Sequence, residues 1–295
     1  MSGPWVLMYH RICERDAGTR CWFERGTAIT PAALDRHLAW LRERFAVVPL
    51  EDLHAPIHAD ARPRAALTFD DGYVDTLEIA APICTHHGVV ATCFATAGPA
   101  RGGPALWFDT WYALVHAGLG HRDWDANLRA LGIPATADLT ACVHGSAKQW
   151  LAKLEPDARQ VLLGRLAEAL GVPLPTSCQL DLDGLRRLRR LGWRIGGHGI
   201  DHQRLGDCDE LTVIRELRGS RQLLAEVGEP GPMQFAYPDG SWSERIADAV
   251  ALEGFEIACT VQSAPWTNPQ DRLTVPRLFC RGDAPVPHPL LQNLA

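Results

Sequence analysis

Short apolar runs alternate with helical patterns along most of this chain, and this alternation restricts the fold more than any other feature of the sequence. The runs are rich in β-branched and aromatic residues, so we predict them to be strands. They are Trp5–Tyr9, Phe45–Val48, Ala65–Phe69, Val89–Ala95, Trp193–Ile195, Met233–Tyr237, Phe255–Thr260 and Leu273–Leu278. Strands that alternate with helices form parallel sheets, and this many repeats predict an α/β fold with a closed or nearly closed barrel.

Helix start and stop signals lie between these strands. Thr30 is a suitable N-cap, and Pro31 follows it at the first helical position. Three later helical patterns end at Gly88, Gly228 and Gly254. Glycine commonly ends helices because it adopts the left-handed conformation without strain, so these patterns support the alternation of strands and helices.

One long stretch interrupts the alternation. Between Ala97 and Leu180 lie more residues than a crossover helix needs, including the amphipathic segments LWFDTWYALVHAGL and HGSAKQWLAKLEPDARQVLLGRLAEALGV. A chain of 295 residues can bury its core as one large domain or two modest ones. No low-complexity linker separates the stretch from its surroundings. We therefore predict one domain, residues 1–295, with a helical insertion at about 101–180 that shapes the rim of the site.

Charge and cysteine usage restrict the partners and the compartment. The formal net charge of −6 and the absence of a basic run other than the helix face at Arg186–Arg190 argue against a nucleic-acid surface. The nine cysteines contain no C-x-x-C pair, which is typical of reduced thiols. The apolar stretch Trp5–Tyr9 is too short for a signal peptide or a membrane span. We predict a cytoplasmic protein with no transmembrane segment, and peripheral membrane contact stays open.

Two adjacent aspartates follow the predicted strand in the segment LTFDDGY. Asp70 and Asp71 repel one another and resist burial, so their place at a strand end needs an explanation. One explanation is turn formation, since Asp-Asp-Gly is good turn chemistry and Gly72 can adopt a positive φ. The other is a bound cation that neutralises part of the negative charge.

Two histidines four residues apart follow another predicted strand, in the segment RIGGHGIDHQRL. This spacing places His198 and His202 on one side of a helical turn or tight loop. Gly196 and Gly197 would let the backbone bend just after the strand. Such a pair is a metal-binding motif, although alone it only suggests a site.

The predicted topology brings these side chains together. Tyr237 follows a third strand, and His10 follows the N-terminal strand. All strands of a β/α barrel point the same way, so residues that follow them meet at one rim. Acids and imidazoles delivered from distant segments to one rim predict a metal site and not simple packing.

The motifs TFDDG, H-x-x-x-H and the Tyr-Pro turn of FAYPDGSW, in this order, resemble the polysaccharide deacetylases with a NodB-like domain (carbohydrate esterase family 4). The segments VLMYHRI, TPAALDRHLAWL and VPRL resemble the exopolysaccharide deacetylase branch. The resemblance spans nearly the whole chain except the insertion. It implies a distorted (β/α) barrel of about seven parallel strands that hydrolyses an N-acetyl group from an amino sugar.

The resemblance also implies roles for single residues. Asp71, His198 and His202 would hold one divalent metal, Zn²⁺ in the first place, with Co²⁺, Ni²⁺ or Fe²⁺ as alternatives. Asp70 would be the general base. The backbone N–H of Tyr237 would stabilise the developing oxyanion together with the metal.

The sequence departs from the family pattern at two places. Many members carry an arginine before the Tyr-Pro region, and here we predict that Arg277 in TVPRLFC replaces it by holding Asp70 bidentately. Many members also carry a Leu-His motif near the end, whose histidine is the general acid. We predict that His10 takes this role in a permuted order, with His288 as the competing candidate.

Three functions stay open on the sequence alone. The first is a metal-dependent deacetylase acting on an N-acetylated amino sugar or on a glycan intermediate, such as a lipid- or nucleotide-linked one. The second is hydrolysis of another amide, such as a formamide or cyclic imide. The third is a non-catalytic glycan-binding relic. The presence of all four residues Asp70, Asp71, His198 and His202 argues against this third function.

Overall fold

The computed structural model describes residues 3–55, 62–282 and 284–294. These residues form ten strands. The strands are β1 (Trp5–Tyr9), β2 (Arg11–Ile12), β3 (Ala28–Ile29), β4 (Ala46–Val47), β5 (Arg64–Phe69), β6 (Thr92–Ala95), β7 (Arg194–Gly197), β8 (Gln234–Ala236), β9 (Ile257–Cys259) and β10 (Leu278–Phe279). Each of the eight strands predicted from the sequence overlaps one of them.

Seven parallel strands form one curled sheet in the order β10-β1-β5-β6-β7-β8-β9, and β4 pairs with β5 beside this path. An isolated parallel bridge joins Cys259 of β9 to Val275, which precedes β10. The segment that leads into β10 therefore connects the two ends of the strand order. The predicted distorted (β/α) barrel is confirmed.

The last strand differs from its prediction. The sequence predicts Leu273–Leu278, whereas the regular ladder begins at Leu278, which pairs with Leu7 of β1. The preceding residues are extended but bond to β9 at single positions only, such as Val275 N–H to the Ala258 carbonyl at 2.9 Å. This segment crosses from one strand to the next, so it cannot form a continuous ladder with either.

Twelve α-helices occur in the described chain. They are α1 (Arg20–Arg25), α2 (Pro31–Arg44), α3 (Ala81–His86), α4 (Ala97–Ala100), α5 (Trp107–Gly118), α6 (Trp124–Ala130), α7 (Leu139–His144), α8 (Ser146–Ala152), α9 (Pro156–Leu170), α10 (Leu182–Arg190), α11 (Glu210–Val227) and α12 (Glu244–Leu252). The Thr30 side chain caps α2 by accepting from Ala33 N–H at 3.2 Å. Gly228 ends α11 in the left-handed conformation, with φ 72°.

The chain divides into two compact units. The first contains the barrel and consists of residues 3–13, 28–102 and 179–294, within the described ranges. The second consists of Glu14–Thr27 and Gly103–Cys178 and contains α1 and α5 to α9. The predicted insertion at about 101–180 is thus helical. A single domain over residues 1–295 stays a prediction.

No sequence motif predicts that Glu14–Thr27 packs with the inserted helices, as it does in the second unit. The contacts that join them within the second unit are long-range. Trp22 Nε1 donates to Asp109 Oδ1 at 2.9 Å, across 87 positions of sequence. In the part of the chain that the structure describes, no helix is both long and apolar enough to span a bilayer.

Candidate active site

Neighbouring strand ends bring His10 and Asp70 together. β1 and β5 run parallel in register from Trp5 beside Ala65 to Tyr9 beside Phe69. The Asp70 N–H then donates to the Tyr9 carbonyl at 2.9 Å, which extends the ladder by one residue. His10 and Asp70 therefore leave adjacent strands at the same rim, as the barrel topology predicts.

Asp71, His198 and His202 form a buried cluster on this rim. One candidate ligand atom from each residue lies within 4.8 Å of the others, and all three residues are buried. Asp71 Oδ1 is 3.5 Å from His198 Nε2 and 3.4 Å from His202 Nε2. These separations are long for hydrogen bonds.

The cluster fits a divalent cation. Ligands of one tetrahedral Zn²⁺ with bonds of about 2.0–2.2 Å lie roughly 3.3–3.6 Å apart, which agrees with the two separations from Asp71 Oδ1. That oxygen is buried and has no hydrogen-bond partner among the residues described. One carboxylate and two imidazoles are also a donor set that zinc and related transition metals favour.

The orientation of His198 supports this interpretation. Its Nδ1 donates to the Ala236 carbonyl at the end of β8, at 2.8 Å. A ring nitrogen fixed in this way directs the other nitrogen, Nε2, toward Asp71. Metal-binding histidines commonly have such a backbone partner, because it sets both the tautomer and the ring plane.

Backbone strain concentrates at the same rim. Only three described residues other than glycine have a positive φ: Asp71 at 71°, His202 at 52° and Asp239 at 52°. Each such residue costs of order 1–3 kcal/mol, and such costs are found mainly at functional sites. Two of the three belong to the predicted metal cluster.

The glycines around the motifs serve packing as well as turning. Gly72 has φ 68°, as the turn in LTFDDGY predicts. Gly196 and Gly197, however, belong to β7 and do not form the bend predicted after it. A Cβ on Gly196 would lie 2.3 Å from the Phe94 ring, and one on Gly197 would lie 2.6 Å from Ser220 Cβ. Glycine is required there because neighbouring elements pack closely.

Arg277 holds Asp70 at the position that the sequence predicts. Its Nη1 donates to Asp70 Oδ1 and its Nη2 to Asp70 Oδ2, both at 2.7 Å. Both side chains are buried, and Arg277 also donates to the Thr260 carbonyl and to Thr68 Oγ1. Burial raises the pKa of Asp70, but Arg277, His198 and His10 outweigh it and hold the pKa below its usual value. Asp70 is therefore an ionised, fixed acceptor.

The charge state of Asp71 follows the same balance. Burial raises its pKa, while His198, His202 and His10 lower it, and the net result is a pKa well below the usual value. Two ionised carboxylates thus lie side by side at a buried rim. This arrangement is stable only with compensating positive charge. Arg277 supplies it to Asp70, and His198, His202 and His10 supply it to Asp71.

The proposed use of the Tyr237 N–H as an oxyanion donor is wrong. That N–H donates to the Cys259 carbonyl at 3.1 Å, as part of the ladder between β8 and β9. The hydroxyl donates to the Leu273 carbonyl at 3.0 Å. Tyr237 is buried with both groups engaged, so its role in this fold is to pack and to anchor the strand end.

His10 lies near both carboxylates, whereas His288 has local contacts. His10 packs its ring against Phe279 of β10, with 5.0 Å between centroids, and it lowers the pKa of both Asp70 and Asp71. His288 Nδ1 accepts from Leu290 N–H at 3.2 Å in the C-terminal segment. The strand order places β1 directly beside β5, which favours His10 as the imidazole that serves the site.

Comparisons with known proteins agree with the motifs. A family model described as polysaccharide deacetylase matches residues 128–258, which include His198 and His202 but not the aspartate pair. The fold resembles a Streptococcus pyogenes deacetylase, PplD, solved in complex with acetate, with 15% identity, TM-score 0.64, and 99% and 98% of the two chains covered. No curated protein sequence gives a significant match.

Two further structures have similar folds. IcaB from Ammonifex degensii has 17% identity and TM-score 0.56, with 95% of this chain and 92% of IcaB covered. The BpsB deacetylase domain from Bordetella bronchiseptica has 14% identity and TM-score 0.55, with 95% and 96% covered. The resemblance predicted from the motifs is therefore confirmed.

Proposed function

We propose that this chain, a relative of the polysaccharide deacetylases, is a metal-dependent hydrolase that removes an N-acetyl group from an amino sugar in a glycan or glycoconjugate intermediate. One observation supports this most strongly. The buried cluster of Asp71, His198 and His202 lies beside a second, ionised carboxylate, Asp70, that Arg277 holds bidentately. A site that binds a metal without catalysing a reaction has no need of a base fixed beside it.

The residues of the site have two kinds of role: some would hold the metal ion and others would transfer protons. Asp71, His198 and His202 would hold the cation, which when bound lowers the pKa of water and polarises a carbonyl oxygen. Asp70 would accept a proton from the water that attacks the amide carbon. Arg277 keeps Asp70 ionised and oriented for that transfer.

His10 would complete the reaction. The C–N bond breaks as the amine leaves, and the nitrogen must gain a proton at that step to be a good leaving group. An imidazole with a pKa in the neutral range suits this donation. The products are acetate and the free amine, and the proton that Asp70 took balances the one that His10 gave.

Replacing Asp71 tests the metal assignment. We expect the Asp71→Ala variant to lose the divalent metal that the unchanged protein holds at one equivalent, because it removes the one anionic ligand. Elemental analysis of both proteins measures this. Asp183→Ala, at an exposed position in the first turn of α10, is the control and keeps its metal. Equal metal content in Asp71→Ala and the unchanged protein would contradict the assignment.

Replacing His10 tests its assignment as the general acid. We expect His10→Ala to keep its metal while turnover falls by about two to four decades, the usual contribution of a general acid. His288→Ala should keep normal turnover. Rates of acetate release at saturating substrate measure both. Normal turnover in His10→Ala together with a large loss in His288→Ala would reverse the two assignments.

A panel of substrates separates the three functions left open by the sequence. We expect acetate release from free, nucleotide-linked or lipid-linked N-acetylhexosamines, because the motifs of this chain resemble those of polysaccharide deacetylases. Formate release from formamides or ring opening of cyclic imides, without acetate release, would favour the second function. Saturable glycan binding with no hydrolysis of any amide would favour the relic.

We further propose that the protein acts in the cytoplasm on such an intermediate, with Zn²⁺ as its metal. This rests on the cysteine usage and on the donor set of the cluster. Cell fractionation with an antibody to the chain measures the location. Recovery in the periplasm or the medium would contradict it.

A further inference from the structure

A buried glutamate on α11 binds the backbone between the two histidines. Glu216 is fully buried, and its Oε2 accepts from Ile200 N–H at 2.7 Å and from Asp201 N–H at 3.0 Å. Its Oε1 accepts from Arg215 Nη2 at 2.9 Å. Each oxygen of this carboxylate is thus engaged, and one of them binds only the loop that runs from His198 to His202.

The same loop is held by further contacts. Ser220, one helical turn after Glu216, accepts from Gly199 N–H through its Oγ at 3.0 Å. On the other side, Ala97 N–H and Gly98 N–H at the start of α4 donate to the carbonyls of Gly199 and Ile200, at 2.9 and 3.0 Å. Three consecutive N–H groups of the loop therefore bind side chains of α11.

This support is needed because the loop is strained. His202 has φ 52°, which is unfavourable for a residue with a Cβ. Gly199 has φ 80°, and a Cβ there would lie 2.8 Å from Glu216 Oε2. The carboxylate therefore fits directly against the loop backbone, and the loop conformation that orients both imidazoles depends on it.

We propose that Glu216 is a positioning residue that sets the separation of the His198 and His202 side chains for the metal. This inference rests on the metal site proposed above. Glu216 acts through the backbone of Ile200 and Asp201. Partners of this kind typically change metal affinity by 10–100-fold when they are removed.

A second glutamate, whose side chain is buried, provides a matched control. Glu229 accepts from Ile195 N–H at 3.0 Å and pairs with Arg194 at 3.0 Å. It therefore binds the first residues of β7, at the opposite end of the strand from the histidines. Removing either carboxylate takes away a buried acceptor for backbone N–H groups, but only Glu216 supports the histidine loop.

Cobalt binding to the metal-free protein tests the proposal. We expect Glu216→Ala to bind Co²⁺ 10–100-fold more weakly than the unchanged protein and to alter the visible absorption of bound Co²⁺, because the ligand geometry changes. Glu216→Gln should stay within about threefold, since its amide oxygen can still accept from both N–H groups. Glu229→Ala should bind Co²⁺ normally with an unchanged spectrum.

The outcomes separate this inference from the proposal on which it rests. Absence of Co²⁺ and Zn²⁺ binding by the unchanged protein would contradict the metal site itself. Normal binding and an unchanged spectrum in a folded Glu216→Ala would contradict only the positioning role, as would an equal loss in Glu229→Ala. If Glu216→Ala does not fold, Glu216→Asp decides, because its shorter side chain cannot reach both N–H groups. We expect weaker Co²⁺ binding and a shifted spectrum, and normal behaviour of a folded Glu216→Asp overturns the proposal.

Discussion

Asp70→Asn is expected to keep its metal and lose about two to four decades of turnover, the range that a general base contributes. Asparagine has nearly the same shape and still offers an oxygen to Arg277, but it cannot take a proton from water at neutral pH. Metal content by elemental analysis and rates of acetate release measure the two effects separately.

Asp71→Ala provides the comparison for this variant. In the unchanged protein the Asp71 carboxylate lies 3.4–3.5 Å from the imidazole nitrogens of His198 and His202, whereas the Asp70 carboxylate faces Arg277. If Asp70→Asn lost metal as completely as Asp71→Ala, Asp70 would be a ligand and not a base. Normal turnover in Asp70→Asn would mean that another group accepts the proton.

Arg277→Met is expected to lower the free energy of unfolding by about 3–5 kcal/mol. The guanidinium and the Asp70 carboxylate are both buried, so removing the cation leaves a buried charge without its partner. Chemical denaturation with urea measures this difference. The same variant should lose turnover, because Asp70 is then neither held nor kept ionised.

Two further variants of this chain make this test specific. Arg204→Met removes an exposed ion pair with Asp207 and should cost at most about 1 kcal/mol. The double variant Asp70→Asn, Arg277→Met should be more stable than Arg277→Met alone, because no buried carboxylate is left unpaired. A cost for Arg277→Met as small as that for Arg204→Met would contradict the importance of the buried pair.

The sequence predicted the cluster because parallel strands deliver their following residues to one rim. Topology placed the two aspartates and the three imidazoles at this rim, and the family resemblance then selected Asp71, His198 and His202 among them as the metal ligands. Arg277 was predicted as the substitute for the arginine missing before the Tyr-Pro turn, and in the structure it does bond both oxygens of Asp70. Local motifs, topology and the family resemblance together were sufficient for these positions.

Features that depend on which atoms pair across strands were not predicted. The sequence does not show that the Tyr237 N–H belongs to the ladder with Cys259, so its assignment as an oxyanion donor was wrong. Nor does it show that β7 continues through Gly196 and Gly197. Both depend on the exact register of neighbouring strands, which short apolar runs leave undetermined.

Glu216 was missed for a different reason. In the segment IRELRGS it resembles one more charged residue on a solvated helix. Its helical spacing is the signal that could have identified it, because it is three residues from Val213 and four from Ser220, both buried on the same face. An acid on the apolar face of a helix needs a partner, and here the partner is a backbone turn.

The most direct test of the central claim is a titration of the metal-free protein with Zn²⁺ while acetate release is followed. The substrate is the best N-acetylhexosamine compound of the panel. We predict background release without metal and a linear rise in turnover that ends at one equivalent of Zn²⁺, since one cluster of Asp71, His198 and His202 holds one ion. Full acetate release by the metal-free protein, or no release at any metal content, would contradict a metal-dependent deacetylase.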